Sequence, residues 1–89
     1  MTLKELIQSV SKDIEILDTY TKKAFYGVDI DYVAFKIGNR YYLLSHSSKG
    51  YVYILTEQTP DGSKDISRPK SFEEIGLKEY IKKILIIEN

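Results

Sequence analysis

The chain begins with apolar residues spaced three and four positions apart, which is the period of one face of an α-helix. Thr2 and Glu5 precede this series in the spacing of a capping box, which satisfies the free N–H groups of a first helical turn. We therefore predict an N-terminal amphipathic helix over residues 3–24. Its apolar face would hold Leu3, Ile7, Val10, Ile14, Leu17, Thr21 and Ala24.

Two alternatives stay open for this segment. Ile14 and Ile16 alternate, which also fits a helix that breaks near Lys12 and is followed by a short strand. The spacing of the stripe also fits a heptad seam, through which two helices can pair. The sequence is thus compatible with a monomer and with a homodimer.

After residue 31 the apolar period changes from that of a helix to two, the period of a β-strand. Residues 32–37, 40–47 and 51–57 are each predicted to form a strand. Gly38 with Asn39 supplies a hairpin turn, and Ser48, Lys49 and Gly50 supply another. This order predicts an antiparallel meander.

The last third of the chain combines a polar loop with a second helix. Residues 58–70 are predicted to form the loop, and Ser71 with Glu74 repeats the capping-box spacing. Gly76 should interrupt the helix after one turn, and residues 84–88 could be a helix end or a short fourth strand. The prediction is one α+β domain over residues 1–89, a three-stranded antiparallel meander flanked by an N-terminal and a C-terminal helix.

The two hairpin turns also fix which side chains share a sheet face. They place Ile37 opposite Arg40, and Leu44 opposite Tyr53. One face is then strongly apolar and is the predicted core face, with Val33, Phe35, Ile37, Tyr42, Leu44, His46, Tyr51, Tyr53 and Leu55. The second face is also more apolar than a solvated sheet face usually is. Either the two helices cover opposite faces, or one face is open and binds a partner.

Composition narrows the functional class. Cysteine is absent, so disulfides and thiolate chemistry are excluded and a reducing cytoplasm is the expected location. Thirteen basic residues balance thirteen acidic ones, and the balance holds within each third of the chain. Nucleic-acid binding needs a concentrated cationic footprint, so we expect no nucleic-acid partner. No apolar run is long enough for a membrane span, and no membrane partner is expected.

The sequence offers little catalytic chemistry. His46 is the single histidine, and the adjacent Ser45 and Ser47 would point to the opposite sheet face, so we interpret it as structural. Asp61 and Asp65 begin like a calcium loop, but the later glycine and glutamate positions do not match. We predict no catalytic residue, no metal site and no cofactor.

A non-enzymatic protein-binding module is therefore the predicted function, acting as a small inhibitor or modulator of a host or cognate protein. Twelve Ile against two Ala and eleven Lys against two Arg indicate a low-GC bacterium or a phage or other mobile element. The predicted contact residues lie on the second sheet face and are Tyr32, Tyr41, Leu43 and Ile54. The alternative is a small-molecule or nucleotide-binding protein with a pocket between the sheet and the loop, lined by Tyr51, Tyr53, Lys64, Arg68 and Lys70.

Overall fold

A computed structural model describes residues 2–88 and shows two helices and a five-stranded antiparallel sheet, an α+β fold. The strands follow one another across the sheet in chain order, β1-β2-β3-β4-β5. The elements are α1 (Leu3–Val10), β1 (Glu15–Lys23), β2 (Asp29–Ile37), β3 (Arg40–Ser47), β4 (Tyr53–Gln58), β5 (Lys70–Phe72) and α2 (Glu74–Glu88), with a 3-10 turn at Phe25–Gly27 between β1 and β2.

The first helix is much shorter than predicted. Its capping box is present, with Thr2 Oγ1 accepting from the N–H of Glu5 at 3.1 Å and Glu5 Oε1 accepting from the N–H of Thr2 at 3.1 Å. The helix ends at Val10, and the chain then forms an edge strand, so the prediction of a helix over residues 3–24 was wrong and the break near Lys12 was the better interpretation. The seam of three heptads cannot form on a helix this short.

Residue preference explains why β1 is a strand. After Ser11, whose Oγ accepts from the N–H of Asp13, the segment is rich in β-branched and aromatic residues that favour a pleated surface. Ile16 lies on one face and Tyr20 on the other, with a bulge between Ile16 and Asp18. Pairing with β2 on both sides of this bulge then overrides the helical spacing of the apolar residues.

The predicted register of the first hairpin is confirmed. Ile37 lies opposite Arg40, and Gly38 has a φ of +59°, a conformation that glycine adopts without steric cost. The second hairpin differs, because Leu44 lies opposite Leu55 instead of Tyr53. Residues 48–52 form a longer connection than the predicted turn, which moves the register by two positions. An even shift keeps every side chain on its predicted face.

The C-terminal region also departs from the prediction. Ser71 lies in β5, which pairs with β4, and α2 starts at Glu74. The helix continues through Gly76 and includes residues 84–88, so the suggested fourth strand there was wrong. Leu77, Ile81 and Ile84 explain this continuity, because all three are buried on one face of a single helix.

Both helices pack on the same face of the sheet. The side chains buried together are Leu6, Ile7 and Ile14, the α2 stripe of Leu77, Ile81 and Ile84, and the strand residues Val33, Phe35, Ile37, Tyr42, Leu44 and Leu55. The six strand residues confirm most of the predicted core face, whereas Tyr51 lies outside the strands and is exposed. The arrangement with helices on opposite faces is excluded for the described residues.

The connection between β1 and β2 holds an unfavourable backbone conformation. Tyr26 has a φ of +59°, a left-handed conformation that costs a residue with a Cβ about 1–2 kcal/mol. Gly27 follows with a φ of +72°. The turn presents the rings of Phe25 and Tyr26 to solvent, with 85% and 98% of their surface exposed.

Candidate functional site

The sheet face opposite the helices is the candidate site, and we call it the open face. Strand pairing orders its side chains in rows that run across the sheet. One row contains Tyr20, Tyr32, Ser45 and Ile54; the next contains Asp18, Ala34, Leu43 and Thr56; and the third contains Lys36, Tyr41 and Gln58. The structure thus brings all four predicted contact residues, Tyr32, Tyr41, Leu43 and Ile54, onto one face in three adjacent rows.

Aromatic side chains give this face its character. Tyr20 and Tyr32 stack with ring centres 4.9 Å apart and an angle of 13° between their planes. The ammonium group of Lys22 lies 5.6 Å from each ring centre, and that of Lys36 lies 5.4 Å from the ring of Tyr41. Cations over aromatic rings are attracted by the negative charge of the ring face. The two lysine side chains therefore lie against the tyrosine rings, and each ammonium group has an aromatic ring as a neighbour.

The open face is accessible to a partner. Ile54 is 41% exposed and Tyr20 is 37% exposed, while Tyr32, Tyr41 and Leu43 are half-buried and Thr56 is buried. Partial burial raises the pKa of the Tyr20 hydroxyl, and the neighbouring Tyr32 and Asp18 add to the effect. An antiparallel sheet commonly leaves one face in water, but that face is then mostly polar.

Tyr20 belongs to this site, but the sequence prediction missed it because residues 3–24 were assigned to a helix. A local signal was present. Thr19, Tyr20 and Thr21 form a run of β-formers, and the Ile14 and Ile16 alternation precedes it. These two features together would have placed Tyr20 on a strand beside Tyr32.

The residues of the alternative pocket are dispersed. Tyr51 is 90% exposed in the connection between β3 and β4, whereas Tyr53 lies on the helix-bearing face and stacks on His46 at 4.2 Å. Lys70 Nζ donates to the hydroxyl of Tyr80 at 2.8 Å, and Lys64 and Arg68 are exposed in the loop. The cavity next to Lys70, which is lined by Tyr42, Leu55, Glu57, Ser67, Lys70 and Tyr80, has a volume of about 10 Å³. That space holds one water molecule at most.

The loop between β4 and β5 is a folded polar turn. Asp61 Oδ1 accepts from the Ser63 backbone N–H, the Ser63 hydroxyl and the Thr59 hydroxyl, at 3.0, 2.7 and 2.8 Å. These hydrogen bonds lower the pKa of the Asp61 carboxyl from 3.8 to about 2. Asp65 lies opposite Gln58 in an isolated bridge that closes the turn. The oxygen atoms of Asp61 and Asp65 thus organise the loop itself.

A half-open cleft lies on the helix-bearing side, between the start of α1 and β1. Its volume is about 440 Å³, and its walls are formed by Thr2, Leu3, Lys4, Thr19, Tyr20, Thr21, Asp31 and Tyr32. Thr21 Oγ1 donates to Asp31 Oδ1 at 2.7 Å, so this carboxylate is oriented along the sheet. The sequence prediction missed the cleft, because one wall is β1.

His46 lies near this cleft, directly opposite Asp31 in the sheet. Its ring stacks on Tyr53, and Ser48 is occupied elsewhere, since its Oγ accepts from the N–H of Asp29 at 3.1 Å. The structural interpretation of His46 stays a prediction. Among residues 2–88, no group of three or more His, Asp or Glu side chains is placed to hold a metal ion.

Comparison of the chain with protein-family models, with curated proteins and with solved structures found no match in any of the three. No helix within the described part of the chain has the length and apolar content needed to cross a membrane. The functional interpretation is therefore based on the residues of the open face and their chemistry.

Proposed function

We propose that this protein is a non-enzymatic binding module that uses the open face to contact another protein and so inhibits or modulates it. The observation that carries the proposal is the packing of both helices on one face, which leaves Tyr32, Tyr41, Leu43 and Ile54 on the other. Contiguous apolar surface on a monomer typically marks an interaction site.

The chemistry of the face indicates the kind of partner. Tyrosine provides a large contact area and loses little conformational entropy on binding, which is why it is enriched at protein interfaces. The face is formed by regular strands, so it suits a broad apolar protein surface better than a small ligand. Lys22 and Lys36 together with Asp18 and Glu15 give it mixed charge, and no cationic footprint for nucleic acid is concentrated there.

The alternative function, binding of a small molecule or nucleotide beneath the loop, has weaker support. A drug-sized ligand needs a cavity of about 300 Å³ or more. The space beside Lys70 is far smaller, at about 10 Å³, and the cleft of about 440 Å³ between α1 and β1 has no residue of the 58–70 loop in its walls. The absence of cysteine in the chain supports the proposal that the protein acts in the cytoplasm.

Affinity capture from the lysate of the native host tests the proposal when wild type and variants are compared by quantitative mass spectrometry. We expect a protein that wild type captures and that Tyr32→Ala and Tyr41→Ala lose. Truncation of a hot-spot residue typically costs ~2 kcal/mol or more of binding, about a thirtyfold loss of affinity. Ile86→Ala is the matched control, because Ile86 is 78% exposed on α2 and outside the open face.

Three results would count against the proposal. If both tyrosine variants still captured the partner, the open face would not be the contact surface. Loss of the partner by Ile86→Ala alone would move the interface to α2. Loss by Tyr51→Ala, together with a bound nucleotide or metabolite in wild type, would favour the alternative function, because Tyr51 belongs to the ligand pocket predicted for it and is 90% exposed.

A further inference from the structure

The two edges of the sheet differ in length and protection. β5 has three residues and is followed within two residues by α2, whereas β1 has nine residues and is exposed at every position except Ile16. An edge strand presents unpaired backbone N–H and C=O groups that can pair with another strand. Beyond the bulge, residues 18–23 pair regularly with β2, so this segment has the geometry of a template. The N–H of Thr19 donates to Asp18 Oδ1 at 2.8 Å, a local hydrogen bond that pairing with another strand would exchange.

The sequence of this segment is complementary to itself. Residues 18–22 read Asp-Thr-Tyr-Thr-Lys, and in antiparallel pairing about Tyr20 each residue meets a favourable counterpart. Asp18 of one copy lies opposite Lys22 of the other, Thr19 lies opposite Thr21, and Tyr20 lies opposite Tyr20. Opposite charges, threonine pairs and aromatic pairs are the cross-strand combinations that stabilise antiparallel sheets.

We propose that the chain forms a two-fold symmetric homodimer by antiparallel pairing of β1 with β1 of a second copy, centred on Tyr20. A two-fold axis requires a surface that complements itself, and residues 18–22 meet that requirement. The proposal goes beyond the proposed function and does not depend on it.

The faces of the sheet agree with this register. Asp18, Tyr20 and Lys22 lie on the open face, as their pairing with β2 and the position of Lys22 over the Tyr20 ring show. Thr19 and Thr21 lie on the helix-bearing face, opposite Val33 and Asp31. Every proposed cross-strand pair therefore joins two side chains of the same face.

Neighbouring registers lack this complementarity. Pairing centred on Thr19 places Lys22 opposite Ile16, at the bulge, and pairing centred on Thr21 places Asp18 opposite Ala24. Both lose the two Asp–Lys pairs. Pairing centred on Thr19 would set Glu15 opposite Lys23, but Glu15 lies beyond the bulge, where the register of β1 is interrupted. The charges thus select one register, which is how cross-strand pairs usually specify strand alignment.

Apolar groups at the ends of the segment complete the interface. Leu17 is 45% exposed at the bulge, and Phe25 is 85% exposed just past the other end of β1. In the proposed register Lys23 lies opposite Leu17 of the second copy, so Phe25 comes next to that end. The paired segment is short, and the interface is small, so we expect a weak dimer whose population depends on concentration.

Such a dimer would join the open faces of both copies. Tyr20 stacks on Tyr32 within one chain, and pairing about Tyr20 brings the equivalent stack of the second copy alongside. The tyrosine surface then continues across the two-fold axis as one extended sheet face.

Charge reversal provides a sharp test by sedimentation velocity. Asp18→Lys and Lys22→Asp each replace two attractive pairs with two repulsive pairs, so each should raise the dimer dissociation constant at least about tenfold. An equimolar mixture of the two variants restores both attractive pairs between unlike chains. The double variant, with Asp18→Lys and Lys22→Asp in one chain, restores them between like chains. Lys49→Asp, an exposed charge change in the β3–β4 connection, is the matched control and should dimerise like wild type.

The predicted result is a concentration-dependent wild-type dimer, monomeric single variants, and dimers in the mixture and in the double variant. Two results would overturn the proposal. One is a wild-type monomer at every concentration up to about 1 mM. The other is a dimer that persists in both single variants, or that neither the mixture nor the double variant restores. The double variant keeps the proposal testable if one single substitution weakens the fold, which circular dichroism would reveal.

Discussion

The two faces of the sheet are built from the same strands and from similar residues, but they have different environments. On the helix-bearing face Val33, Phe35 and Leu44 are completely buried. On the open face Tyr32 and Leu43 alternate with them along β2 and β3 and keep part of their surface in water, as Ile54 does on β4. Apolar character alone therefore does not decide burial here. The side on which the helices pack decides it.

The helices choose one side for a physical reason. α1 contributes Leu6 and Ile7, α2 contributes a stripe that includes Leu77 and Ile81, and the helices contact each other as well as the sheet. Packing both amphipathic stripes on one face buries all of them in a single core, which a chain of this size needs for stability. The second apolar face is then left without a helix over it, and it is the face that we propose as the contact surface.

The largest expected effect is on the covered face. Phe35→Ala removes a completely buried ring that stacks on Tyr42 at 5.4 Å, and it leaves a cavity in the centre of the core. We expect the free energy of unfolding to fall by about 3–5 kcal/mol, a large share of the stability of a domain this small. Urea denaturation measures the change. A loss below about 1 kcal/mol would contradict the assignment of this face as the core.

A smaller effect is expected for the ion pair at the edge of the covered face. Arg40 donates two hydrogen bonds to Glu57, Nη2 to Oε1 at 2.7 Å and Nε to Oε2 at 3.2 Å. Glu57→Gln keeps the shape but removes the charge, and we expect a loss of about 1–2 kcal/mol because both side chains are only partly exposed.

Glu79→Gln is the matched control for this ion pair. Glu79 and Lys82 form an exposed pair at 4.0 Å on α2, and removing such a pair should change stability by no more than about 0.5 kcal/mol. Equal effects in the two variants, measured by urea denaturation, would show that the contact between Arg40 and Glu57 adds nothing specific.

The open face should tolerate truncation. Tyr32→Ala loses the stacking on Tyr20, and Tyr41→Ala loses a half-buried ring, but neither removes a core contact. We expect each to cost no more than about 1.5 kcal/mol of folding free energy. Thermal melting followed by circular dichroism checks this. If both variants melt as far below wild type as Phe35→Ala does, the open face is part of the core and the binding site lies elsewhere.

The smallest expected effect is on the pH dependence of stability, and it comes from Asp61 in the loop between β4 and β5. The Asp61 carboxyl has a pKa of about 2 in the folded chain against a usual value of 3.8, so its hydrogen bonds stabilise the fold above pH 3.8. That stabilisation is lost as the pH falls from 3.8 to about 2, because the unfolded chain takes up the proton first. Asp61→Asn should therefore show a smaller decrease in its urea midpoint over this range than wild type. Parallel decreases in the two proteins would contradict the role of this loop.

Much of the fold follows from local signals in the sequence. Gly38 and Asn39 specify a turn that determines the whole register of the hairpin of β2 and β3, and the prediction there was correct at each pair. The second hairpin was predicted two positions out of register because its connection is longer. Each of its strand side chains nevertheless lies on the predicted face of the sheet. Open-face residues such as Leu43 and Ile54 could therefore be grouped from the sequence.

The remaining features depend on tertiary contacts. The segment around Leu17 satisfies both the helical and the strand period, and only pairing with β2 selects the strand. Gly76 is a helix breaker by propensity, but burial of Leu77 and Ile81 keeps α2 continuous. The choice of face by the two helices is likewise a property of the assembled core, so the sequence alone left both arrangements open.

Site-specific photocrosslinking in the native host is the most direct test of the open face as the contact surface. A benzophenone amino acid at position 43 lies in the centre of the open face, and the same group at position 86 lies on the outer side of α2. We predict a discrete crosslinked adduct with another protein from position 43 and none from position 86. An adduct from position 86 alone, or equal adducts from both, would contradict the assignment.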